Sequence, residues 1–270
     1  MNAAITLWHK HMRKFLSNPE EMIGLMIQPV LWVVLFGVGM RGMVSPDMSG
    51  GGDSYVTYML PGIVALSALG GAIGGGSVWL SERLRGIVKE YLVAPIPRLS
   101  ILMGNALSTL TKGMFQALAI LGVGVLMGAK LSTNPAGWLG GLMLVMGFGL
   151  GFSGLALAMA SCTNNPGAYH AMIMVFNLPM LFLSNALYPL NAMPTWMKIG
   201  TLINPTTYTV DGLRQMMFRA PAPLAAGSGL PLWLCWLVVS AFAVLGMWMA
   251  TSAFRKRSEE RRVGKECATG

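Results

Sequence analysis

S-E-R-L-R-G-I-V-K-E-Y-L-V-A-P-I-P-R, residues Ser81 to Arg98, is a charged island between two apolar runs, each long enough to cross a membrane. Its shortness fits one turn-and-helix unit, and its mixed charges and apolar residues suit a membrane face that receives an outside partner. The rest of the 270 residues are 54% hydrophobic and only 11% charged, with a mean hydropathy of +0.59. No soluble globule covers a core with so few charges.

A hydrocarbon layer of about 30 Å needs roughly 20 apolar residues per helix. Six stretches qualify: Met22 to Met43, Tyr58 to Leu80, Ile101 to Ala129, Leu139 to Ser161, Ala171 to Leu190, and Leu230 to Phe254. Their length predicts helices, because barrel strands alternate polar and apolar residues over roughly ten positions. The predicted fold is all-α and integral to the membrane, as a single domain over residues 1–256. From Arg257 the chain reads R-S-E-E-R-R-V-G-K-E-C, which resembles the translation of a sequencing adapter, so the natural frame is expected to end near Lys256.

Lys10, Arg13 and Lys14, the basic residues of the island, and Arg255 to Arg257 fall on one side of this arrangement. By the positive-inside rule that side is cytoplasmic, and both termini lie there. The net charge of +9 thus reads as topology, and no nucleic-acid partner is expected. The three cysteines lack disulfide or metal-ligand spacing. Neither a metalloprotease, a nucleophile-elbow nor a phosphate-loop motif occurs, so an enzyme is not expected, nor a metal or cofactor in this chain.

Residues 3–17 place Ile5, Trp8, Met12, Phe15 and Leu16 on one helical face and His9, Lys10, Arg13 and Lys14 on the other, as in an interfacial helix. Asn18-Pro19-Glu20-Glu21 supplies a cap, a first-turn proline and acidic residues to open the first span. Glycines recur four apart in the second span (Gly70, Gly71, Gly74, Gly75) and four and three apart in the fourth (Gly147, Gly151, Gly154), which predicts close helix packing. In the third span Asn105, Thr109, Lys112 and Gln116 share a face, a candidate polar pathway. No acidic residue falls inside the six stretches to pair with Lys112, which either reaches back to the headgroups or lines that path. An ion-coupled secondary transporter using Lys112 is the alternative functional reading.

Between the last two spans, Asn204 caps and Pro205 opens a helix carrying Tyr208, Asp211 and Arg214 every third residue, with Asp211 and Arg214 able to pair. Trp196, Tyr208 and Phe218 suit short re-entrant helices in the outer leaflet.

Two motifs resemble those of ABC-2 type permeases, the membrane subunits of ATP-binding-cassette exporters of the daunorubicin-resistance and nodulation-factor groups. The island follows E-R-x-x-G-x-x-K-E-x-L-x-x-P-x-x-R through Glu82, Arg83, Gly86, Lys89, Glu90, Leu92, Pro95 and Arg98. The outer segment follows N-P-x-T-Y-x-V-D-x-L-R through Asn204, Pro205, Thr207, Tyr208, Val210, Asp211, Leu213 and Arg214. The resemblance implies a prokaryotic plasma-membrane exporter of amphipathic, lipid-like or drug-like substrates. It implies two permease copies, a homodimer being favoured, above separate cytosolic ATPases that hold ATP and magnesium. The island then forms a coupling helix: Glu82, Arg83, Lys89, Glu90 and Arg98 meet the ATPase, Gly86 permits close approach and Pro95 ends the helix. Asn204, Pro205, Tyr208, Asp211 and Arg214 belong to the outer gate.

Overall fold

The computed structural model describes residues 2–39, 55–88, 97–129, 131–187, 190, 193–217 and 230–266. Among them are nine helices and no β-strand: α1 (Asn2–Leu16), α2 (Pro19–Gly39), α3 (Tyr55–Leu84), α4 (Arg98–Leu126), α5 (Pro135–Cys162), α6 (Pro166–Phe182), α7 (Thr195–Ile203), α8 (Pro205–Met217) and α9 (Leu232–Glu266). Five, α2 to α5 and α9, contain stretches long and apolar enough to cross a membrane.

Local chemistry sets the helix ends. Pro19 opens α2 with Glu20 and Glu21 in its first turn, where carboxylates oppose the positive end of the helix dipole. Asn134 and Asn165 cap α5 and α6 by accepting from Ala136 N and Gly167 N, each with proline next in sequence. The Ala171 to Leu190 stretch is shorter than its composition suggested. α6 spans 17 residues, after which Leu183 N still bonds Pro179 O and the chain turns at Ser184 and Asn185.

α3 is the hub. It packs along α4 and α5 and touches α2, α6 and α8, while α5 and α9 form the most extensive helix pair. At their crossing a Cβ on Gly154 would run into the main chain of Gly246. In lipid, where apolar side chains gain little by leaving the solvent, such close backbone approach is a main source of helix affinity. This is close helix packing of the kind the glycine spacing predicts, here within one chain, and Phe148, Phe152 and Phe242 continue the same seam.

α1 lies against α4, with Leu7 at Gly104 and the Trp8 indole donating to Thr111 Oγ1 at 3.0 Å. His9, Lys10, Arg13 and Lys14 are exposed as expected. The buried stripe, however, is Leu7, His11, Met12 and Phe15, while Ile5 and Leu16 stay exposed. Spacing from Leu7 to Phe15 follows one face of a helix, and only docking on α4 selects that face.

Candidate functional site

Three constellations carry the polar chemistry. The first lies at the end of α3, where the island begins. Glu82 is half-buried and faces α1: Lys10 Nζ donates to Glu82 Oε1 at 3.4 Å, and His11 Nε2 stands 4.0 Å from Oε2. Arg83 turns the opposite way, to the C-terminal end of α5. Its guanidinium donates to Ser161 O at 2.8 Å, to Thr163 O, and to Asn164 Oδ1 at 3.1 Å. A cation over the last carbonyls of a helix answers both their unmet acceptors and the negative end of its dipole.

Both residues therefore have partners inside the chain. Adjacent side chains point about 100° apart on a helix, which lets two neighbours tie α3 to two different helices. Gly86 follows with φ +85 and, among the described residues, nothing within 4 Å of a Cβ built on it. Its service within this chain is a left-handed turn that an L side chain resists. Lys89, Glu90 and Pro95 lie outside the described residues; Arg98 opens α4, and its side chain is also outside them.

The second constellation is the polar face of α4. Asn105 and Thr109 are buried against α3: Asn105 Nδ2 donates to Gly75 O at 3.4 Å, and Thr109 occupies the space that a Cβ on Gly75 would need. Lys112 donates to Glu21 Oε1 at 2.6 Å and stands 4.7 Å from the centre of the Phe15 ring. The partner stands one residue before the Met22 to Met43 stretch, in the first turn of α2, so an acid from outside the six stretches reaches Lys112. The pair also fixes depth. Lys112 comes about 21 Å along α4 at 1.5 Å per residue, level with the start of α2, so the early turns of α4 lie before the first span begins. Gln116, one turn further, donates Nε2 to Leu25 O at 2.8 Å, while its buried Oε1 has no hydrogen-bond partner among the described residues.

Beyond Gln116 opens a cleft of about 420 Å³ bounded by α2, α3 and α6, with Trp32, Ile73 and Ile173 among its apolar walls. Sequence patterning missed it, because Gln28, Ser67 and Asn177 are isolated polar residues on three helices and converge only in the fold.

The third constellation is at the far end of α3. Asn204 caps α8 by accepting from Thr206 N at 2.9 Å and donates to Met180 O and Leu183 O, pinning the end of α6. Pro205 is the first residue of α8. Arg214 Nη1 lies 3.5 Å from Asp211 Oδ1, with both side chains nearly sealed from solvent. Arg214 Nη2 also donates to Asn185 O at 2.7 Å and Tyr58 O at 3.3 Å, and the guanidinium carbon sits 4.0 Å from the centre of the Tyr58 ring. Asn185 Nδ2 donates to Asp211 Oδ1. Tyr208 is separate: its hydroxyl donates to Leu202 O at 2.8 Å, linking α8 to α7. Asn185 and Tyr58 are the members that sequence did not disclose, and the turn after α6 brings Asn185 in.

A polytopic helical bundle with polar clamps at both ends of one central helix and an apolar-walled cleft beside it has the parts of a membrane transport protein. Comparison with known proteins gives the class: the ABC-2 type transporter family model matches residues 2–218, and the chain belongs to that family. It is similar to the putative transport permease ycf38 of Porphyra purpurea, 32% identical over 73% of this chain and 67% of the relative. The daunorubicin resistance ABC transporter permease protein DrrB1 of Streptomyces coeruleorubidus is 20% identical over 80% of this chain and 75% of its own length. The probable doxorubicin resistance ABC transporter permease protein DrrC of Mycobacterium tuberculosis is 24% identical over 78% and 75%. The chain is a multi-pass membrane permease subunit of an ABC transporter.

Proposed function

We propose that this permease couples ATP hydrolysis, carried out with magnesium on separate cytosolic ATPase subunits, to the export of an amphipathic, lipid-like or drug-like substrate. It works in a prokaryotic plasma membrane with six spans, α6 being the short fifth, and with both termini in the cytoplasm. α1 lies at the inner interface and α7 and α8 re-enter from the outside, where the exposed Trp196, Ile199 and Ile203 meet lipid. A second copy faces the cleft, covering the exposed apolar flanks that Ile27, Leu31 and Leu35 give α2 and Met174 and Phe176 give α6.

The observation that carries the coupling is the double tie at the base of α3, with Glu82 to α1 and Arg83 to α5. Just past it, within the island, Gly86 turns the chain out of the α3 helix. A push on Ile87 to Pro95 therefore acts on three helices together, and α3 forms one wall of the cleft. Each nucleotide state of the ATPase favours one arrangement of that cleft. Lys112, held by Glu21 at the entrance of the first span, belongs to the frame and not to an ion path.

The test is affinity purification of the chain from its native membrane, followed by identification of co-purifying proteins and an ATP hydrolysis assay. An ATPase is expected to co-purify from wild type and to be lost from Glu90→Lys. Recovery without an ATPase, together with proton-dependent flux in vesicles, would overturn the proposal.

A further inference from the structure

α6 is lightly held for a helix that walls the cleft. It lies against α3 and α5, yet of its 17 residues only Tyr169 and Ile173 are buried. Tyr169 is sealed completely, and its hydroxyl donates to Ile73 O of α3 at 2.8 Å. The ring tip fills a notch left by Gly76, where a Cβ would run into the Tyr169 hydroxyl. A phenol buried among apolar neighbours needs an acceptor for its O–H. Here the acceptor is main chain, so its place is set by α3 itself, and the contact fixes the inner end of α6 to one turn of that helix. About two turns nearer the island, Arg83 adds a second hold by donating to Thr163 O and Asn164 Oδ1, just before α6 begins.

The other end of α6 is tied elsewhere. Asn204 Nδ2 donates to Met180 O at 3.1 Å and to Leu183 O at 2.6 Å, which binds that end to the junction of α7 and α8. Beside the tie, Pro179 lies within the last turn of α6. A proline has no N–H to give Val175 O, and a helix bends most readily at such a gap. Between the two ends, Ile173, Met174, Asn177 and Leu181 line the cleft.

We infer that Tyr169 is the positioning residue that makes α6 follow α3. The inner end of α6 is carried with Ile73 while the outer end pivots at Pro179, so the cleft wall swings when the island moves α3. This rests on the reading of the island as the coupling site, and the experiment separates the two.

In the permease purified with its ATPase, the three cysteines are replaced and pairs of spin labels are introduced at exposed positions. Leu84 with Ala171 reports α3 against α6, and Ile23 with Ala171 reports α2 against α6. Labelled copies are diluted among unlabelled ones, so that distances within one chain are read, first without nucleotide and then with ATP and vanadate. With Tyr169 intact, the Leu84 to Ala171 distance is expected to stay constant while the Ile23 to Ala171 distance changes. Tyr169→Phe keeps the ring and removes the hydroxyl bond. In it the Leu84 to Ala171 distance should spread into two populations on adding nucleotide, and the Ile23 to Ala171 change should shrink, with ATP hydrolysis continuing. Gly74→Ala, on the same helix but with no described atom within 4 Å of its Cβ, should behave as the parent does.

The parent comparison decides by itself if Tyr169→Phe does not fold: a Leu84 to Ala171 distance that changes as much as Ile23 to Ala171 would overturn the inference. Tyr169→Phe moving as the parent does, with only a lower melting temperature, would make the bond purely structural and overturn it as well. In both cases ATP-driven coupling would stand. Constancy of both distances in every complex would overturn the inference together with the coupling.

Discussion

Arg83 and Arg214 sit near opposite ends of the packing around α3, and their surroundings assign them different energetics. Arg83 is half-exposed and answers helix-end acceptors. Arg214 is sealed with Asp211, so removing one partner leaves a charge buried alone. Arg214→Leu or Asp211→Leu is expected to cost about 3 to 5 kcal/mol. The double variant should cost clearly less than the sum, read as non-additive melting in detergent; additive losses would dissolve the pairing.

A third residue is sensitive to pH. Burial lowers the pKa of His11 from its ordinary 6.5, partly offset by Glu82 and reinforced by Lys10, Lys112 and Lys14. A lowered folded value means that docked α1 prefers neutral His11. Its stabilisation is present above 6.5 and lost as pH falls through the folded value. Protection factors of α1 amides, with the intrinsic exchange rate divided out, should therefore fall as pH drops from about 7.5 to 5.5, and His11→Asn should flatten the change. Of these contacts, Asp211 with Arg214 was legible because a helix brings residues three apart together. The Glu21 and Lys112 pair was not, because its members are 91 positions apart in sequence and only the docking of α2 on α4 joins them.

At the scale of helices, existence was legible and extent was not. Long apolar runs announce spans, since a membrane demands length. They overran α6 because Leu181 to Leu187 remain largely apolar while Ser184 and Asn185 turn: Ser184 returns its hydroxyl to Leu181 O, and Asn185 joins the Asp211 knot. Hydropathy has no sense of such bonds. Conversely, α4 begins before its apolar stretch because its early turns pack on α1. The glycine seams give a sharper prediction. Gly154→Val places atoms against the main chain of Gly246, whereas Gly70→Ala enters open space. The first should lower the melting temperature in detergent by the equivalent of about 1 to 3 kcal/mol or more. The second should leave it unchanged, and equal behaviour of the two would contradict the α5 and α9 crossing.

For the molecule as a whole, the gathering of basic residues predicts the orientation, and cysteine chemistry tests it. Cys162 is exposed at the end of α5, and Cys235 is buried in α9. With Cys267→Ser in place, an impermeant maleimide should label Cys162 in inside-out vesicles and leave intact cells unlabelled. Labelling from outside would invert the topology. The cleft was the part of the site least available to sequence, because it is a property of three helices at once.

The pairing of Gly154 with Gly246 also has a consequence in time. About ninety residues separate the two positions, so at roughly 5 to 20 residues per second the ribosome needs on the order of 5 to 20 s to deliver the second after the first. Throughout that wait the glycine face of α5 stands in the bilayer without its mate, open to a wrong neighbour or a membrane protease. Slowed translation between Cys162 and Leu232 would lengthen the wait, and the yield of intact permease would fall without any change of sequence.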